Sequence, residues 1–252
     1  MQRGILDTVI SGARARNSHA QVVQALGRSI IAGRYPVGST LPGDAELAAL
    51  FGVSRTVLRE TMKTLAAKGL IVARARIGTR VTPLPQWNLF DKDVLNWYFD
   101  VGVTEEFMLH ISEIRMAFEP HAAALTARQA SSQDIARIMA LAQAMDDPQH
   151  DAETLAFADL KFHLAILDAC GNPFMRNVGS LIEAALTGVF KLSSPAADQS
   201  SIHDVAQAHI RIVDAIAAHD EQAAREAMEN VIRVGRDRVV AALEEKQGAP
   251  QT

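Results

Sequence analysis

Cysteine is almost missing from this chain, and aromatic residues make up only 5% of it. The single cysteine, Cys170, excludes an intrachain disulfide and any multi-cysteine zinc or iron–sulfur site, which fits a reducing cytoplasm. No apolar run reaches membrane-spanning length, and no continuous apolar segment follows the first basic residues. Neither a membrane span nor a secretory signal is expected. What is present is core material. A hydrophobic share of 48% against a charged share of 21% over 252 residues describes a globular chain about two domains long.

The net charge of −4 hides an uneven division. Residues 1–82 carry twelve Lys/Arg against four Asp/Glu, a balance of +8. The other 170 residues carry thirteen against twenty-five, a balance of −12. A basic third joined to an acidic remainder predicts that the former meets a polyanion and the latter does not.

Within the basic third, Ser18-His19-Ala20-Gln21 has the form of a capping box opening a helix on Val22, Val23, Leu26, Ile30 and Ile31. Gly33 ends it, and GRYPVGSTLP reads as a Gly/Pro-punctuated loop. Asp44 then caps a short helix holding Leu47, Leu50 and Phe51, and Gly52-Val53-Ser54 is a tight turn. Ser54 is placed to cap a third helix from Arg55 to Lys68, whose core face is Val57, Leu58, Met62 and Leu65, with Gly69 at the left-handed end position. Two short helices joined by such a turn predict a helix-turn-helix. Arg55, Thr56 and Arg59 occupy the first turns of its second helix, where side chains read base edges in the major groove. The following stretch, Ile71 to Val81, alternates as a two-stranded ribbon with Gly78 at the bend. Arg74, Arg76 and Arg80 lie along it as phosphate-gripping groups. The first seventeen residues, with Arg3, Arg14 and Arg16, read as an arm.

The segment GRYPVGSTLPGDAELAALFGVSRTVLRETMKTLAAKGLIVARARIGTRV resembles the winged helix-turn-helix of the GntR family of bacterial transcription regulators. The resemblance implies that Arg55, Thr56 and Arg59 contact DNA and that the wing around Gly78 enters the minor groove. Two departures stand out. Ala45 replaces a common arginine, and Arg76 lies where glycine is frequent.

Residues 83–103 read as a linker carrying Trp87 and Trp97. From Thr104 to about residue 246 nearly everything has helical period, with breaks near Ser131, Pro148, Gly171-Asn172-Pro173 and Pro195. The fold expected is therefore mainly α: an N-terminal winged helix-turn-helix over 18–82, then a C-terminal all-α bundle. Polar residues ride on the apolar stripes of that bundle. Met108, Ile111, Arg115, Phe118 and Ala122 share one face. Asp159, Phe162, His163, Ile166 and Cys170 share another, and His209 lies in line with Ile212, Val213 and Ile216. An ionisable group inside a bundle is costly unless paired or ligating, so these three helices point to one shared polar site.

Asp159 and His163, four residues apart, can chelate one ion, and His209 can complete three ligands. That donor set suits Zn²⁺, Ni²⁺ or Mn²⁺. Spacing alone leaves a second reading open, a metal-free network with Arg115 paired to Asp159. An open three-ligand metal could also activate water as a hydrolase would. Against an enzyme, no further carboxylate is placed as a base, no nucleophile motif is present, and the DNA-reading domain goes unexplained.

Residues from about 104 to 243 resemble the effector-binding FCD domain of the FadR subfamily, through EIRMAFEPHAAALTA, the D-x-x-x-H of ADLKFHLAILDACGNPF, and HIRIVDAIAAHDEQAAREAM. The resemblance implies a divalent metal on Asp159, His163 and His209, with Arg115 facing a bound organic acid. Many members add a fourth ligand, a histidine, near the start of the last helix. Here Val231 stands there, with Asn230 beside it and counted among the effector-binding residues. The joint segment PQWNLFDKDVLNWYF is similar to that of repressors of D-galactonate and related sugar-acid catabolism. The expected protein is thus a cytoplasmic, homodimeric repressor of double-stranded operator DNA. A small sugar acid, or another organic acid, releases it.

Overall fold

The structure is a computed structural model that describes residues 18–102, 104–179, 181–183, 186, 194–197 and 199–248. The arm expected over residues 1–17 lies outside the described residues. The chain divides into two compact units, one ending at Val101 and one beginning at Gly102.

In the first unit, helix α1 (Ser18–Ile31) buries Val22, Val23, Leu26 and Ile30 along one stripe and gives way to Gly33 in the left-handed region. Helix α2 (Asp44–Phe51) ends on Gly52, and helix α3 (Arg55–Ala67) begins immediately beyond the turn, where the Ser54 hydroxyl accepts from the Val57 amide at 3.3 Å. That bond satisfies one of the orphaned amides of the first helical turn. Leu47, Leu58 and Leu65 pack with Leu26 and Ile30 into one core. Asp44 is the first residue of α2 rather than its cap, which is Gly43 in extended conformation, and Leu50 is exposed because so short a helix buries only one narrow face.

Strands β1 (Ile71–Arg74) and β2 (Gly78–Val81) pair antiparallel, with Ile71 opposite Val81 and Arg74 opposite Gly78. The bend is therefore residues 75–77, and Gly78 opens the second strand rather than occupying the bend. The loop after α1 runs beside β2. The Leu41 amide donates to the Thr79 carbonyl at 2.8 Å, and the Val81 amide donates to the Ser39 carbonyl at 3.0 Å.

The segment read as a linker is ordered architecture of this unit. A 3-10 turn (Leu84–Gln86) leads to helix α4 (Lys92–Val101), whose Val94 and Trp97 enter the same core. Trp97 lies flat against Gly27 of α1, where an added Cβ would fall 2.3 Å from the ring. Lys68, at the end of α3, donates to Asp91 and Asp93, each at 2.7 Å, and clamps the start of α4. Two tryptophans in so short a stretch bury more apolar area than a solvated tether could leave in water.

The second unit is helical throughout its described residues: α5 (Glu105–Gln129), α6 (Ser132–Gln143), α7 (Ala152–Ala169), α8 (Pro173–Arg176), a 3-10 turn (Pro195–Ala197), α9 (Gln199–Ala217) and α10 (Glu221–Gly248). Local chemistry starts the longer helices. Thr104 caps α5, and capping boxes at Ser131 and Asp151 open α6 and α7. Helix α5 passes through Pro120 and packs against α7, α9 and α10, with Ala122, Ala123 and Ala127 letting the backbones approach. No helix among the described residues is long and apolar enough to cross a membrane.

Candidate functional site

The first unit offers a polar face. Arg55, Thr56 and Arg59 are all exposed on the first turns of α3, and with Asp44 and Ala45 they line a cleft of about 370 Å³. Ala45, which stands where relatives commonly carry an arginine, lines this cleft with a small side chain. Arg59 lies 3.9 Å from Glu60, which Lys63 also approaches at 3.0 Å. On the wing, Arg74 and Arg76 are exposed, and Arg76 adopts φ +63° within the bend. A left-handed residue there accounts for the frequent glycine, since a Cβ makes this conformation costly. Arg80 is committed differently: its Nε and Nη2 donate to the Gly38 carbonyl at 2.9 and 2.5 Å. It ties the wing to the loop after α1.

The second unit gathers its ionisable groups inside. Asp159 and His163 lie one turn apart on α7, and His209 reaches them from α9. All three are buried, and each presents a ligand atom within 4.8 Å of the others. His209 Nε2 is 2.9 Å from Asp159 Oδ1, and His163 Nε2 is 3.7 Å from Asp159 Oδ2. Phe162 closes on both imidazoles edge-on, at centroid distances of 5.6 and 4.9 Å.

Tautomer logic makes this cluster informative. His209 Nδ1 is 2.7 Å from the Val205 carbonyl, which can only accept, so Nδ1 carries the proton. Nε2 of the neutral ring then turns a lone pair toward a carboxylate. His163 is in the same position, with Glu119 against Nδ1 and Asp159 on the Nε2 side. Neither His163 nitrogen nor His209 Nε2 makes a well-directed hydrogen bond. Each ring must become an imidazolium, or a cation must lie between the facing acceptors. Two imidazoles and a carboxylate with their lone pairs converging are the donor set of a divalent transition metal, and these residues fit one.

Arg115, one helix over on α5, is buried and pairs with Glu119 rather than with Asp159. Nε to Oε1 is 2.5 Å and Nη2 to Oε2 is 3.3 Å. Glu119 in turn holds His163. The chain Arg115–Glu119–His163 is the carboxylate-to-imidazole support that fixes a ligating ring. Burial works to raise the pKa of Glu119, but Arg115 and then His163 overcome it and pull the value down to about 2. Asp159 behaves likewise. Burial is outweighed by His163, His209 and Arg115, again to about 2.

Glu119 is the residue that sequence reasoning missed. The inward stripe of α5 was read through Phe118, which is only half-buried, whereas Glu119 is 1% exposed. The clue was available, because Glu119 is four residues beyond Arg115, the same spacing that joined Asp159 to His163.

A cavity of about 470 Å³ opens onto Arg115, Asp159, His163 and His209, within the range of small-molecule sites. Asn230 and Val231 of α10 also line it, and the Asn230 Oδ1 accepts from Arg233 at 2.6 Å.

Residues 18–81 match the family described as bacterial regulatory proteins, gntR family, and residues 110–234 match the FCD domain. The galactonate operon transcriptional repressor of Escherichia coli (strain K12) is 33% identical over 211 residues, covering 84% of this chain and 92% of that protein. The uncharacterized HTH-type transcriptional regulator YieP of the same organism is also 33% identical, covering 88% of this chain and 95% of its own. The solved structure of Lar, described as controlling the Listeria monocytogenes agr system, aligns with a TM-score of 0.62. It does so at 18% identity, over 88% of this chain and 96% of its own, a likeness of fold alone. The matched families and relatives are transcription regulators rather than enzymes.

Proposed function

This chain belongs to the GntR family of bacterial regulatory proteins and carries an FCD domain, and we propose that it represses a sugar-acid catabolic operon and leaves its operator when a small sugar acid enters the bundle. The observation that carries this reading is the cavity lined by Arg115, Asp159, His163 and His209, a charged interior with no structural need for so many ionisable groups. D-galactonate is the first acid to try, because the E. coli relative is a galactonate operon repressor.

Arg55, Thr56 and Arg59 read the major groove, while Arg74, Arg76 and the backbone at Gly78 meet the minor-groove edge and its phosphates. Arg80 ties the wing to the loop after α1 through the Gly38 carbonyl. A single module of this size buries too little DNA for operator-level affinity, so the protein works as a cytoplasmic homodimer on a pseudopalindromic site. Asp159, His163 and His209 hold a divalent ion such as Zn²⁺, Ni²⁺ or Mn²⁺, with Glu119 fixing the His163 ring. When bound, the ion supplies open coordination positions for a carboxylate or hydroxyl oxygen. Arg115 keeps Glu119 ionised, and Asn230 faces the sugar hydroxyls from α10. The acid must bind one arrangement of the dimer more tightly than the other, since equal affinity would shift nothing.

A mobility-shift assay on the protein's own upstream DNA tests this directly. The expected result is one retarded complex that dissolves with D-galactonate or a close sugar acid and persists with the parent neutral sugars. A complex unaffected by every sugar acid, with the metal restored, overturns the effector assignment.

A further inference from the structure

Arg238 belongs to no motif, yet it is a partly enclosed arginine of the cavity wall that no acid answers among the described residues. It projects from α10 into the wall that also holds Asn230, Val231, Val234 and Gly235. Those positions recur at one, four, five and eight residues after Asn230, so they form one face of the helix. The Arg238 Nε is fully enclosed and has no hydrogen-bond partner. Among the described residues no carboxylate forms an ion pair with its guanidinium, in contrast to Arg115, which Glu119 neutralises. Burial lowers the pKa of Arg238, and the charge of Asp159 pulls it back up. Gly235, one turn before Arg238, leaves the space beside it open, since a Cβ there would meet only the Arg238 Nη2 at 3.9 Å.

A guanidinium held in a half-closed cavity without an acid partner is destabilising until an anion arrives. We propose that Arg238, and not Arg115, is the residue that grips the carboxylate of the effector. Arg115 is a positioning residue that acts through Glu119 on His163. The fork of Arg238 offers paired donors to a planar carboxylate, while Asn230, eight residues earlier and about 12 Å away along the helix, meets the distal hydroxyls. Both side chains line the same cavity from one face of α10, so one sugar acid can lie along that wall. The assignment rests on the sugar-acid reading above and names the group that selects acid over neutral sugar.

Calorimetry on the full-length, zinc-loaded protein tests it, with D-galactonate, a panel of simple carboxylates and neutral galactitol as probes. Arg238→Met is expected to weaken galactonate binding about 10- to 100-fold, and Arg238→Lys less. Zinc content and the response to galactitol should stay at wild-type values, and the melting temperature of the ligand-free protein should not fall, since an unpaired buried charge has been removed. Arg115→Lys should instead lower zinc content. If wild type binds galactonate and Arg238→Met binds it equally well, this assignment fails while the sugar-acid reading stands. If wild type binds no carboxylate at all, both fail together.

Discussion

The two units handle their charges in opposite ways. In the first, the arginines of α3 and the wing stand in solvent, where a charge costs little to keep and is available to any polyanion. In the second, Arg115, Glu119, Asp159, His163 and His209 are buried within a few ångströms of one another, each made tolerable only by the next. Function and stability are therefore separable in the DNA-binding unit and inseparable in the effector unit. A surface arginine that makes no hydrogen bond to the protein among the described residues, such as Arg74, can be removed with loss of recognition alone. An interior carboxylate cannot be removed without disturbing the fold that presents the site.

Glu119→Ala is the harshest challenge to that contrast. It leaves the Arg115 guanidinium buried without a counter-charge and takes the support from His163. Breaking one side of a buried pair costs about 3–5 kcal/mol, and loss of such an outer partner weakens metal affinity about 10- to 100-fold. Denaturant titration and elemental analysis read the two effects. A stability change below about 1 kcal/mol would mean that Arg115 has other compensation and that the interior network is not mutually dependent.

Arg59→Ala probes the other side. Arg59 is exposed and its one ion pair among the described residues, to Glu60, is loose at 3.9 Å, so folding stability should move by no more than about 0.5 kcal/mol. Discrimination between the operator and a scrambled duplex should fall by about 1–3 kcal/mol, as expected for losing one base-reading arginine. Competition binding measures it. Equal loss on both duplexes would reassign Arg59 from base reading to phosphate contact.

How much of this was legible in the sequence follows the same division. The helices of the first unit were readable because their ends are decided locally: Ser54 caps α3, and Gly52 and Gly69 take left-handed conformations at helix ends. Helix α4 was not. Nothing in KDVLNWYFDV states that Trp97 will find Gly27, seventy residues away in α1, and only that partner turns a linker into core. In the second unit, the i,i+4 rule exposed Asp159 with His163, and the same rule applied to Arg115 leads to Glu119. There an acid beside a proline reads as a surface residue until its helix is known to be buried. Arg238 carried no pattern, because an unpaired cation is defined by what surrounds it.

The wing provides the finest separation between the two kinds of charge, within one hairpin. Arg74 and Arg80 share the exposed face of the ribbon and would count equally in any sequence tally, but only Arg80 makes hydrogen bonds to the protein itself, at Gly38. Arg74→Ala should reduce the slope of log affinity against log salt by about one, with an unchanged melting curve. Arg80→Ala should do the reverse. Losing its bonds to the Gly38 carbonyl costs about 0.5–1.5 kcal/mol of stability, and the salt slope should stay near wild type. The two curves must be taken on the same operator across the same salt range, because a loosened wing lowers affinity at every salt concentration and displaces the line without tilting it. A flattened slope for Arg80→Ala would show that its guanidinium turns from Gly38 to a phosphate when DNA is bound, and the wing would then behave as one uniform cationic surface.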